Sequence, residues 1–349
     1  MSPKYAKDMP QDFTNRIERV AIVGASGQIG QYITKALVDT GKHTITALTR
    51  QGSKNELPSG VKTILVDYND EAALIAALKD QQFLIITLPV TAPPDTHSKI
   101  VKAAAKAGVK RIMPNLYSMD DSNEALVKET PLNASKEGIL SDIEAAGCSW
   151  TYMICSLWYE YSLAMGPIWF GFDFANKKLT LYDEGTTKVN VTTWEQCGRA
   201  VAAFLSLNEL PEDETDKGVT VETWTNKPLV ISSFLISQKD MFESWKRDSG
   251  DRDEDWTIES EGSKERYQKG IEAMKGAQDP MSARMGAAMA SFVRAFFPNG
   301  GGDYESTRGL DNGKLGLPKE DLDERTAVAK EMVEQEYAAK LFAKMAQGS

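Results

Sequence analysis

The sequence predicts an α/β fold built on a doubly wound parallel sheet, with a smaller helix-rich part beside it. Three observations carry that prediction. Short apolar runs alternate with helical patterns from Arg19 to Ser156, as strands and crossover helices do in a parallel sheet. Glycines stand just past three of the helical patterns, at Gly41, Gly108 and Gly147, where a helix ends in the left-handed conformation. The first apolar run, Val20 to Val23, breaks into Gly24-Ala25-Ser26-Gly27-Gln28-Ile29-Gly30, a turn from strand into helix.

Strands are expected at 19–24, 43–49, 62–67, 83–88, 110–114 and 150–155, each an apolar run of strand length. Helices are expected between them at 28–40, 71–79, 94–107 and 134–146. Right-handed crossovers bring the C-terminal ends of the strands to one edge, so Gly24 to Gly30, Arg50, Leu88, Pro89, Asn115 and Ser156 are expected to face one crevice. Beyond Ser156 the alternation loosens. Residues 188–207 read as a short strand and an amphipathic helix returning to the sheet, 218–224 as another strand, and 232–247, 263–275, 280–297 and 319–346 as helices. Met281, Met285, Met289, Phe292 and Phe296 recur at helical spacing as one packing face, and Asn299-Gly300-Gly301-Gly302-Asp303 reads as a flexible linker. The expected division is a polar tail at 1–17, a nucleotide-binding Rossmann-type domain at 18–156 rejoined by 188–224, and a substrate-binding and C-terminal helical part at 157–187 and 225–349.

Composition narrows the class. The 349 residues are 42% hydrophobic and 26% charged, an ordinary globular balance. A net charge of −10 without a basic stripe argues against a nucleic-acid partner. The three cysteines, Cys148, Cys155 and Cys197, have no C-x-x-C spacing, which suggests reduced thiols and a cytoplasmic setting. Only His43 and His97 could join them, so no metal site is expected. Residues 1–17 lack the apolar core of a secretion signal, and the apolar stretch from Trp150 to Phe174 carries Glu160 and Pro167, a poor membrane span. A monomer or homodimer is expected.

The glycine run has the physics of a phosphate cradle. Its first glycine permits a tight turn, its second lets backbone approach a pyrophosphate, its third allows close helix packing, and the helix start offers N–H groups to an anion. About 20 residues on, where an acidic side chain would hold the ribose 2′-hydroxyl of NAD, stand Arg50 and, nearby, Lys54. A fork and a point charge suit a 2′-phosphate, so the expected cofactor is NADPH. The candidate cofactor-binding residues are Gly24, Ser26, Gly27, Gln28, Ile29, Gly30, Arg50, Lys54, Leu88, Pro89, Asn115 and Lys136.

None of the 11 tyrosines has a lysine four residues later, which excludes the Tyr-x-x-x-Lys pair of ordinary short-chain dehydrogenases. No Gly-x-Ser-x-Gly elbow is present, and His97 reads as a solvated or capped helix residue. Lys136 is the better candidate. With Asn133 as N-cap it falls in the first turn of a helix, where a cation opposes the macrodipole and is easier to deprotonate, fit to give or take a proton. Nine aromatic residues fall within the 25 positions from Trp150 to Phe174. Trp158, Tyr159 and Tyr161 follow the sixth strand, where flat rings would wall a pocket for a flat conjugated substrate.

Gly24 to Gly30, Thr49-Arg50, Ala107 to Asn115, and Lys136 to Glu144 followed by Trp150-Thr-Tyr-Met together resemble the isoflavone-reductase-like, NmrA-like atypical short-chain dehydrogenases over about 19–250. The section from Tyr267 to Asp323, with Phe297 to Tyr304 and Leu315 to Lys319, is similar to the fungal CipA-like branch. The resemblance implies that Lys136 sits beside the nicotinamide and assists proton transfer, and that Arg50 holds the 2′-phosphate. Relatives carry Pro-Ser/Asn-Glu-Phe/Tyr-Gly after the fifth strand, whereas Pro114-Asn115-Leu116-Tyr117-Ser118 stands here. Leu116 removes a carboxylate that could orient Lys136, while Tyr117 keeps a hydroxyl at that place. The implied activity is NADPH-dependent reduction of a conjugated carbonyl (enone, quinone-like or ketone) in an aromatic or polyketide-type secondary metabolite. Two alternatives are a non-catalytic NADP(H)-binding redox sensor and an isomerase, cyclase or dehydratase using the same pocket.

Overall fold

Side-chain alternation in the apolar runs sets the main sheet. In β1 (Arg19–Val23) Val20 and Ile22 join one buried cluster while Ala21 and Val23 join another, so both faces are covered, as a parallel sheet flanked by helices requires. β2 (Thr44–Arg50), β3 (Lys62–Val66), β4 (Phe83–Ile86) and β5 (Arg111–Met113) follow. After a short strand that pairs elsewhere, β6 (Tyr117–Ser118), β7 (Ser149–Trp150) completes a six-stranded parallel sheet ordered β3-β2-β1-β4-β5-β7. The order reverses between β1 and β4, which opens a crevice beyond their carboxyl ends. This computed structural model describes residues 5–50, 56–89, 91–133, 136–299 and 301–346.

Helices cover both faces. α1 (Gly30–Asp39) packs Ile33 and Leu37 on one side, and α2 (Glu71–Leu78) and α3 (Thr96–Lys106) pack Leu74, Leu78, Ile100 and Val101 on the other. All four side chains of β4 are buried, and each apolar side chain of this size contributes about 1.5–3 kcal/mol on burial. Gly41, Gly108 and Gly147 have φ of 64°, 88° and 79°, the left-handed helix ends expected of them. α4 (Glu124–Glu129) and α5 (Lys136–Ala145) follow β5 and β6.

Strand 150–155 is not continuous. Trp150 ends in β7, and β8 (Met153–Ile154) pairs instead with β6 in a small second sheet. β9 (Leu157–Trp158) and α6 (Tyr159–Ala164) then lead into the C-terminal part, through β10 (Phe172–Asp173), β11 (Lys178–Tyr182) and β12 (Val189–Thr192). α7 (Trp194–Leu205) returns to lie on α1 as expected of 188–207, so closely that a Cβ at Gly198 would come 2.5 Å from the Tyr32 carbonyl oxygen. The expected strand at 218–224 is instead a 3₁₀ turn at Val221–Trp224, capped by Thr220 and Thr223. Residues 232–247 begin as strand, β14 (Phe234–Ile236), which follows β13 (Leu229–Val230), before α8 (Gln238–Ser249) takes over behind the Ser237 and Asp240 capping box.

β15 (Thr257–Glu261) pairs in parallel with β11, and α9 (Ser263–Gly276) and α10 (Pro280–Ala295) form an antiparallel pair beside them. The packing face of α10 is not the methionine stripe. Gly286, Ala287, Ala288 and Ala290 are buried, because a Cβ at Gly286 would lie 2.4 Å from the Met274 nitrogen of α9, whereas Met281 is exposed. Nor is the glycine-rich stretch at 299–303 a free linker over its described residues: Gly302 is buried against Val189, and its carbonyl accepts from the Asn190 amide at 2.9 Å. After α11 (Glu305–Arg308), the single helix expected at 319–346 is two, α12 (Leu322–Glu334) and α13 (Tyr337–Ala346), broken at Glu336 with φ of 56°.

Candidate active site

The glycine loop is dictated by its neighbours. Gly24 has φ of 78°, and a Cβ there would lie 2.1 Å from the Thr87 carbonyl oxygen. A Cβ at Gly30 would lie 2.1 Å from the Gly24 carbonyl oxygen. The Thr87 hydroxyl sits 2.9 Å from the carbonyl oxygens of both Val23 and Gly24, tying the end of β4 to the turn. Gly27 differs: its added Cβ would meet Gly24 oxygen at 3.1 Å and little else. The protein itself scarcely needs glycine there, and the bare backbone faces a cavity instead. No side chain caps the start of α1, and although the Gln31 amide donates to the Gly27 carbonyl at 3.0 Å, the positive end of the helix still points toward an anion.

That cavity, of about 1440 Å³, runs from Gly24, Ser26, Gly27, Gln28 and Ile29 past Arg50, Leu88, Pro89 and Asn115 to Lys136, Ser156, Trp158 and Tyr161. It exceeds the roughly 300–1,000 Å³ of a single small-molecule site, so it has room for a nucleotide and a second ligand. The crevice expected from the strand ends is therefore present. Gly30 lies behind the loop rather than on the cavity wall. Asn115 Nδ2 donates to the Leu88 carbonyl at 3.1 Å, fixing the wall between β4 and β5. Arg50 stands exposed at the end of β2, and Lys54 lies outside the described residues. A bare glycine backbone at a helix start and an arginine at the next strand tip fit a dinucleotide carrying a 2′-phosphate.

Lys136 opens α5 at the cavity wall. The capping expected of Asn133 falls on a side chain outside those described. Lys136 Nζ donates to the carboxylate of Asp121, which also accepts from the hydroxyl of Tyr152. The ammonium lies 5.4 Å from the Tyr152 ring centroid, and Arg308 reaches Asp121 at 3.3 Å from the far side. The carboxylate that Leu116 removes from the loop is thus replaced from five residues further on, by Asp121. Tyr117 lines the cavity, but its hydroxyl is buried without a hydrogen-bond partner among the described residues, and its electrostatic neighbours are the thiols of Cys155 and Cys197. Burial pushes that phenol well above its ordinary range. The tyrosine hydroxyl at Lys136 is therefore that of Tyr152, not Tyr117.

Of the three rings proposed for the substrate wall, Trp158 and Tyr161 line the cavity, their centroids 6.1 Å apart. Tyr159 does not. It is fully buried, and its hydroxyl lies 2.7 Å from Thr326 Oγ1 in the core between α6 and α12. Burial pushes Tyr161 up to about 12, so it stays a neutral phenol. Trp169 and Phe292 extend the wall, and Tyr337 of α13 accepts a 2.9 Å bond from Gln28 of the glycine loop. Sequence reasoning did not single out Asp121, Tyr152 or Tyr337 for the site. His97 is buried rather than solvated, and loss of hydration lowers its imidazole to about 4.

Among the described residues no group of three His, Cys, Asp or Glu side chains is placed to hold a metal ion, and the three cysteines are buried and free. No described helix is long and apolar enough to cross a membrane.

Comparison with known proteins agrees with the geometry. Residues 17–166 match the NmrA-like family. The oxidoreductase aprR of Aspergillus flavus is 27% identical over 314 residues, covering 88% of this chain and 96% of that protein. Isoflavone reductase of Cicer arietinum is 27% identical over 240 residues, covering 60% of this chain and 75% of its own. Among solved structures, the NADPH complex of the quinone oxidoreductase QOR2 from Escherichia coli superposes with a TM-score of 0.62 at 19% identity, covering 88% of this chain and 98% of that one, a likeness of fold. Over residues 17–166 the chain is similar to the NmrA-like family, over most of its length to a fungal oxidoreductase, and over 60% of it to an isoflavone reductase.

Proposed function

We propose that the protein is an NADPH-dependent reductase of a conjugated carbonyl in an aromatic or polyketide-type secondary metabolite. One observation carries the reading: a single cavity joins the glycine cradle and Arg50 to Lys136 and to a wall of aromatic rings. Proteins similar to this chain bear the names oxidoreductase, isoflavone reductase and, by likeness of fold, NADPH-dependent quinone oxidoreductase.

When bound, NADPH supplies a hydride to the electron-poor carbon of the substrate. The loop from Gly24 to Ile29 and the start of α1 receive its phosphates, and Arg50 receives the 2′-phosphate. Trp158 and Tyr161 hold the conjugated system flat. Lys136 Nζ carries the proton that the reduced carbonyl takes up, and Asp121, braced by Tyr152 and Arg308, keeps that ammonium in place. Asp121 and Tyr152 are positioning residues. Hydride and proton together account for the two electrons and the two hydrogens that a reduced C=C or C=O acquires.

The test follows NADPH absorbance with a panel of enones, quinones and aryl ketones. Lys136→Met is expected to lower turnover by about 10²–10⁴-fold, the range of a general acid, while the protein still binds NADPH. Undiminished turnover in the variant refutes the role of Lys136. Substrate conversion without a change in nicotinamide absorbance indicates an isomerase, cyclase or dehydratase, and nucleotide binding without conversion of any carbonyl indicates a sensor.

A further inference from the structure

One face of α10 forms part of the cavity wall: Arg284, Ala288, Ser291 and Phe292 recur at i, i+4, i+7 and i+8, and all four line it. Three of these suit an aromatic ligand. The fourth is a charge without a counter-charge. Every other buried or half-buried arginine among the described residues has a carboxylate: Arg294 meets Glu129 at 2.6 Å, Arg266 meets Glu261 at 2.8 Å, Arg111 meets Glu222 at 2.7 Å, Arg199 meets Glu320 at 2.6 Å and Arg325 meets Glu195 at 2.6 Å. Arg308 is held by Asp120 and Asp121. Arg284 has no ion pair or hydrogen bond among the described residues. Loss of hydration lowers its guanidinium, and the nearby Tyr161 phenol offsets this in part.

A half-buried cation left unpaired is costly, and a carboxylate delivered by a ligand removes that cost. The guanidinium presents a planar fork of N–H donors matched to a carboxylate. Its electrostatic neighbour is Tyr161 of the ring wall, and Phe292 follows two turns on along the same helix, so the group it waits for belongs to the ligand that stacks on those rings. We propose that Arg284 receives a carboxylate of the substrate, so that this cavity selects flat aromatic acids over their neutral counterparts. The inference rests on the reading of the cavity as a joint nucleotide and substrate site.

The test is calorimetric titration of the NADP⁺-saturated protein with 4-coumarate, cinnamate and 2-naphthoate, each beside its methyl ester. The acids are expected to bind about tenfold to a hundredfold tighter than the esters, the worth of a charged hydrogen-bonded pair. Arg284→Met erases that preference without lowering Tm, since it removes an unpaired charge, and Arg284→Lys retains part of it. Equal binding of acid and ester by the wild type overturns the proposal, as does failure of every acid to bind. A tenfold loss of NADP⁺ affinity in Arg284→Met overturns it too, because the arginine then serves a nucleotide phosphate. If NADP⁺ does not bind at all, the nucleotide reading fails, and the same acid and ester titration of the free protein decides the role of Arg284 separately.

Discussion

Glu160 ties stability to pH through a buried carboxyl without a partner. It lies on α6, is 1% exposed, and neither side-chain oxygen has a hydrogen-bond partner among the described residues. Burial, first of all, pushes its carboxyl from 4.5 up to about 8, and the nearby Glu195 and Glu320 add to the rise against Arg325. The unfolded chain releases this proton near the ordinary carboxyl value, whereas the folded chain holds it to about 8. Stability from this group is therefore full below the unfolded value and is lost as pH rises toward the folded one. At about 1.4 kcal/mol per unit, the loss between pH 5 and pH 8 is on the order of 3 kcal/mol. Glu160→Gln keeps the shape and removes the titration. Urea unfolding of both proteins at pH 5 and pH 8 reads the difference directly: the wild type is expected to weaken relative to the variant by that amount. A variant that tracks the wild type across the range refutes the claim that Glu160 is buried and neutral.

Other substitutions separate fold from site. Gly24→Ala forces a side chain into φ of 78° and onto the Thr87 carbonyl, so its Tm is expected to fall by several degrees, as a strained backbone position costing about 1–3 kcal/mol implies. Gly27→Ala meets only one close atom, so its Tm is expected to stay near the wild type while nucleotide affinity drops in a calorimetric titration. Gly286→Val places its Cβ 2.4 Å from the Met274 nitrogen, and the resulting separation of α9 from α10 is expected as a lowered Tm. Arg50→Ser is expected to weaken NADPH binding about tenfold to a hundredfold and leave NADH binding unchanged, the signature of a lost 2′-phosphate contact.

The sheet was legible because its code is local. Apolar runs of strand length, glycine helix ends and the glycine loop each follow from a few adjacent residues, and together they placed Arg50, Asn115 and Lys136 on one crevice. What surrounds Lys136 was not legible. Asp121 comes from an irregular loop and Tyr152 from the break between β7 and β8, so their meeting depends on long-range pairing of β6 with β8. Tyr159 and Tyr161 were indistinguishable in sequence. Once α6 begins at Tyr159, residues two apart point roughly 200° apart around the helix, which sends Tyr159 into the core and Tyr161 to the cavity. On α10 the methionine spacing suggested the wrong face, since close approach at Gly270 and Gly286 favours the small residues. β15 carries no buried alternation, and only its parallel register with β11 makes it a strand.

Titration of the purified protein with NADPH, NADP⁺, NADH and NAD⁺ tests the central claim most directly. The account predicts one nucleotide per chain and at least a tenfold preference for the phosphorylated forms, with NADPH bound tightly enough to serve a reductase. Equal affinity for NADH and NADPH contradicts the role given to Arg50, and no binding of any nucleotide contradicts the reading of the cradle from Gly24 to Gly30.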